Sequence, residues 1–230
     1  MSHELTTIEA AMGAVSVLAS RLLGPGVDEL GEISRDFARY WRLRNLMAIQ
    51  EKVEKVLQAK GLDYGDLRHL SLSVGLPLLE RASYQDDSVL QDKWANLMAA
   101  SLISEESDGR FSLDVMHVEI LNQMARLDCE VLEFVCERGI DHQDEQGHIV
   151  VSGLDPTEVE AAFSGKLAHI SLEKLCALGA VQRSIRSPLQ VARSISGLRE
   201  ILAPTLVGLN LYVASSGKTP RWMKEKGAGE

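Results

Sequence analysis

Leu76–Ile103, LPLLERASYQDDSVLQDKWANLMAASLI, is the stretch whose reading decides the fold. It predicts two helices joined by a short polar turn. Pro77 suits a first helical turn, where its missing N–H has no partner to lose. Leu76, Leu79 and Leu78 supply that helix with an apolar face. Gln85, Asp86, Asp87 and Ser88 make the turn. Ser88 with Gln91 fits a capping box, and Asp87 competes as the N-cap. Leu90, Trp94, Leu97, Met98, Ser101 and Leu102 stand at i, i+4, i+7, i+8, i+11 and i+12, one stripe of a second helix. Glu80, Asp86 and Asp87 invite a catalytic reading. No His, Cys or third carboxylate stands at ligand spacing, so caps and a solvated face account for them better.

Outward from this pair, 230 residues with 45% apolar content can bury a sizeable core, as one domain or two. The amino-terminal MSHELTTIEA has no basic segment followed by a cleavable apolar core. No run of about 18 uncharged apolar residues occurs. A cytoplasmic location is therefore expected. Cys129, Cys136 and Cys176 are expected as free thiols in a reducing compartment, without disulfide or metal. The formal charge of −9 is uneven: residues 1–162 hold 14 Lys+Arg against 29 Asp+Glu, and residues 163–230 hold 10 against 4. The acidic front disfavours general adhesion to nucleic acid, and the basic remainder leaves a local exception.

Residues 5–23 read as a helix with Ile8, Met12, Val15, Leu18 and Leu22 in a stripe. Its uncharged centre of eleven residues spans roughly 17 Å, about half a bilayer core. Packing on its own protein is the plain reading and triggered interfacial insertion the sharper one. Gly24-Pro25-Gly26 breaks the chain before a long helix from about Val27 to Lys60. There Arg35, Arg39, Trp41, Arg42 and Arg44 form a candidate partner or lipid surface. Pairing with acids of the same half is the duller alternative. His69, His142 and His148 lack directed metal-ligand spacing.

PLLERASYQDDSVLQDKWANLMAASL also resembles the central signature of the abortive-infection alpha family of bacterial phage-exclusion proteins. The matching positions are Pro77, Leu78, Leu79, Glu80, Ala82, Ser83, Asp86, Asp87, Leu90, Gln91, Trp94, Ala95, Asn96 and Leu97. Arg81 stands where that pattern has a smaller residue. The resemblance implies a defence role and supplies no reaction.

SEESDGR, residues 104–110, is a polar break that places a boundary between a helical domain at 1–110 and a second module at 111–216. Residues 217–230 form a tail expected to be disordered. In the second module helices are expected at Leu113–Arg126 and from Asp128, where Asp128 caps, then a short strand at Ile149–Val151. A helix opens at Asp155-Pro156, and another, near His169–Val181, buries Leu172, Leu175, Cys176 and Leu178 and ends at Gly179. A basic hairpin and a last helix, Thr205–Ala214, follow. This order, over about residues 114–214, resembles a winged helix. Its groove-facing helix would carry only Lys166 and Lys174 nearby, poor for base readout, while the wing carries Arg183, Arg186, Arg193 and Arg199. These six are the candidate nucleic-acid-binding residues.

The expected fold is mainly α, an N-terminal helical bundle followed by a small winged-helix-like α+β module. No P-loop, dinucleotide fingerprint, nucleophile elbow or zincin motif is present, so no enzyme and no cofactor are expected. Defence through a bound phage or host protein is the first reading. A DNA-binding regulator and a membrane-acting toxin are the alternatives, and homo-oligomerisation stays open.

Overall fold

A computed structural model of the chain describes residues 37–62, 67, 69–103, 115–143, 149–164, 166–185 and 200–217. Eight helices and two two-stranded sheets occur among them, so the protein is mainly α-helical. Two compact units form, Met1–Gln123 and Met124–Glu230. The predicted first helix at 5–23, the Gly-Pro-Gly break, the break at 104–110 and the tail from 218 lie outside the described residues.

The first unit holds α1 (Phe37–Ala59), α2 (Leu72–Ser83), α3 (Ser88–Ile103) and α4 (Val115–Gln123). Asn45, Ile49, Val53 and Leu57, each four residues apart, are the buried line of α1. Helix α2 begins earlier than the sequence predicts, so Pro77 lies inside it rather than in its first turn. The N–H that proline lacks would have reached Ser73, near the helix start, which limits the loss to one bond. This phase buries Gly75, Leu78, Leu79, Ala82 and Ser83 and turns Leu76 outward, contrary to its predicted place on the apolar face.

Asp87 is the N-cap of α3: its Oδ1 accepts from Val89 N at 2.8 Å and Leu90 N at 3.0 Å. The Ser88–Gln91 box does not form. Gln91 Nε2 instead donates to Gln85 O at 3.0 Å, and Ser88 Oγ accepts from Lys52 Nζ at 3.1 Å. The whole predicted stripe of α3 is buried, and Gln91, Ala95 and Ala99 join it. Helix α4 packs on α2, with an Arg81–Glu119 ion pair at 3.3 Å at its edge. That packing goes with the place of α4 in the first unit, Met1–Gln123.

The second unit runs α5 (Arg126–Arg138), β1 (Ile140–Gln143), β2 (Ile149–Val151), α6 (Pro156–Ala162), α7 (Ala168–Ala177), β3 (Val181–Ile185), β4 (Glu200–Pro204) and α8 (Leu206–Ser216). Asp128 does not take the N-cap place of α5. Ala125 stands there, and Asp128, inside the first turn, accepts from its N–H at 2.7 Å. Strands β1 and β2 pair antiparallel, as do β3 and β4. An isolated bridge, Leu154–Leu202, joins the stretch after β2 to β4. The sequence anticipated only one strand of the first pair. Asp155 caps α6 with Pro156 at its first position, as predicted. Gly179 follows α7 with φ of 72°, a left-handed conformation that favours glycine there. Cys129 and Cys136 are buried, Cys176 is half-buried, and none of the three forms a disulfide.

Candidate functional site: the outer faces of α7 and α1

Helix α7 turns Ala168, Ser171, Leu172 and Leu175 inward. Cys176 and Leu178, predicted to be buried with them, are only half-covered. Its outward positions carry Leu167, His169, Ile170 and Glu173. Leu167 is 62% exposed and Ile170 52%, large apolar side chains held in water beside one another.

The basic residues of this region are engaged. Lys174 Nζ reaches Asp128 Oδ2 at 2.6 Å, tying α7 to the first turn of α5. Lys166 Nζ reaches Glu130 Oε2 at 2.8 Å and lies over the Phe163 ring. Arg183 pairs with Glu173. Arg186, Arg193 and Arg199 lie outside the described residues. Among the described residues the structure thus gathers the three cations of the expected nucleic-acid set onto acids of their own unit.

Burial pushes the Asp128 carboxyl up, but hydrogen bonds from Lys174, Ser171 and the Ala125 N–H outweigh it and hold the group below the usual carboxylate range. A depressed folded pKa gives stability that is complete above the ordinary carboxylate value and lost as pH falls through the lower folded value. Lys174→Met is therefore expected to lower stability at neutral pH by about 1–3 kcal/mol, and the difference from wild type should shrink below about pH 4. Urea unfolding followed by circular dichroism at several pH values checks this; a pH-independent gap would refute the role given to the pair. Glu130 is likewise held low, first by its hydrogen bond from Lys166.

Helix α1 presents a second set. Arg42 donates from Nε to Ser83 Oγ at 3.0 Å and lies 4.0 Å over the centre of the Tyr84 ring. Arg44 lies 5.1 Å over the Trp41 ring. Asn45, which the sequence left unremarked, fastens α1 to α2 by donating to Ser83 O at 3.1 Å. Tyr84, at the end of α2, stands in no periodic pattern of the sequence. Arg35 lies outside the described residues, and of Arg39 only its place in α1 is described.

The Cys136 thiol is pushed up by burial and stays protonated. Among the described residues no group of three His, Cys, Asp or Glu could hold a metal ion. No helix among them is long and apolar enough to cross a membrane.

A family model described as abortive infection alpha matches residues 42–206, which spans α1 to the start of α8. No curated protein and no solved structure matches the chain.

Proposed function

Because the chain belongs to the abortive infection alpha family, which points to anti-phage defence, we propose that it acts by binding a protein of the phage or the host rather than by catalysis. The observation that carries this reading is the outward face of α7. In a winged-helix-like module this helix would be the one to enter a DNA groove. Here it offers Leu167 and Ile170 to solvent, while Lys166, Lys174 and Arg183 are held by Glu130, Asp128 and Glu173. Exposed apolar side chains rimmed by paired charges suit a protein partner better than phosphates, which need uncommitted cations.

The test is plating efficiency across a broad phage panel, with and without the gene. Ile170→Asp changes an exposed side chain, so stability should move by no more than about 0.5 kcal/mol. Protection should nevertheless fall at least about ten-fold, equivalent to about 1.4 kcal/mol of contact energy. Arg183→Ala should leave protection intact. If instead Arg183→Ala removes protection and the protein shifts duplex DNA with a steep salt dependence, the DNA-binding reading takes its place.

A further inference from the structure

We infer that the Met1–Gln123 unit carries a docking surface of its own, built from Trp41, Arg42, Arg44, Leu72, Leu76 and Tyr84, for an amphipathic protein helix bearing carboxylates. The surface belongs to a different unit from α7 and does not depend on the reading given to that helix.

Three observations place it. First, Arg42 and Arg44 lie over exposed rings, Tyr84 at 56% and Trp41 at 44% exposure. Arg42 Nε is taken by Ser83 Oγ, and the terminal guanidinium N–H groups of both arginines are the donors that could grip a carboxylate. Second, among the described residues no carboxylate pairs with either arginine, in a chain of formal charge −9. Third, an apolar line leads away from the arginines. Leu72 and Leu76 stand at i and i+4 on α2, 55% and 44% exposed, and Tyr84 is the residue that caps its C-terminus. Trp41 adjoins this line because it lies one helical turn from Asn45, which is bonded to Ser83 beside Tyr84.

The surface is therefore apolar at one end and cationic at the other, over roughly 18 Å from Leu72 to Tyr84. Trp, Tyr and Arg are the residue types in which binding energy concentrates at protein interfaces. Exposed Glu80 lies on the same line and disfavours a run of phosphates, while a protein helix can place a lysine opposite it. Charge complementarity thus assigns carboxylates to the partner's end that meets Arg42 and Arg44, and leucine-like side chains to the end that meets Leu72 and Leu76.

The experiment uses the full chain and a fluorescently labelled amphipathic peptide of leucine, alanine and glutamate, about 14 residues long to match that span. Anisotropy should show saturable binding that weakens as salt rises. Arg44→Glu and Leu76→Asp should each weaken it at least about ten-fold. Both positions are exposed, so circular dichroism should be unchanged. No saturable binding, or binding indifferent to both substitutions, overturns the proposal. So does Arg44-dependent binding of a labelled single-stranded oligonucleotide or of phosphatidylglycerol vesicles in place of the peptide, which would assign the surface to phosphates.

Discussion

Gly208→Ala is expected to unfold much of the Met124–Glu230 unit. Helix propensity alone predicts the opposite, a gain of about 1 kcal/mol for replacing glycine inside a helix. The tertiary contact decides the sign. A Cβ on Gly208 would stand 1.9 Å from Ala180 O and 2.7 Å from Ala180 C, backbone atoms that cannot swing aside. The same turn is held three ways by Thr205. Its N–H donates to Ala180 O at 3.0 Å, its hydroxyl donates to Gly179 O at 2.6 Å, and the hydroxyl oxygen accepts from Gly208 N at 3.0 Å. Pushing α8 off Ala180 strains the turn after α7 and breaks that cap. Overpacking and cap loss together come to about 3 kcal/mol or more. Native domains hold only about 5–15 kcal/mol in all. Urea titration and limited proteolysis read the effect, with Leu206→Ala as the control because that side chain is 69% exposed. A Gly208→Ala protein as stable as wild type would show that the contact with Ala180 is not close enough to matter.

Trp94→Ala is the other large loss, about 3–5 kcal/mol, from emptying the centre of the first unit. Trp94 is 1% exposed, and Leu97 and Met98, one turn along the same helix face, are no more exposed. Its Nε1 finds no partner among the described residues. Trp94→Phe therefore sacrifices volume but no hydrogen bond, and should cost clearly less than the alanine variant. The comparison separates packing from a polar role: equal losses for Phe and Ala would point to a bond from the indole N–H. Because Trp94 lies in the core, a loss of function in Trp94→Ala would report unfolding and nothing about binding. The surface positions Ile170, Arg44 and Leu76 are where function can be tested with the fold retained.

The signature itself resolves into physical roles that its residue types already suggested in part. Asp87 was legible as a cap because a side-chain oxygen before an apolar run satisfies N–H groups with no other partner. Gln91 was legible only as a cap partner. Its actual bond to Gln85 O closes the turn from the far side, a geometry that depends on how the turn bends. Ser83 was legible only as a matching position of the family pattern, yet it receives Arg42 and, through its carbonyl, Asn45. Those bonds join residues about forty positions apart, and periodicity within one helix contains no information about them.

By itself the sequence determined what depends on neighbours along the chain. The stripe of α3 follows from its spacing, the start of α6 from Asp155-Pro156, the end of α7 from Gly179, and family membership from the match over residues 42–206. Tertiary structure alone decided which charges are spent and which are kept. Lys174 looks like a cation open to phosphate until α5 brings Asp128 against it, 46 residues away in sequence. Arg42 looks like a partner for any of the many acids until α2 sets Tyr84 beneath it. Leu76 looks like core until the early start of α2 rotates it into water, and Gly208 looks like a weak point until Ala180 is seen beneath it. In each case the deciding term is a contact a few ångströms long between distant residues, and its energy depends on a distance that only the packed chain sets.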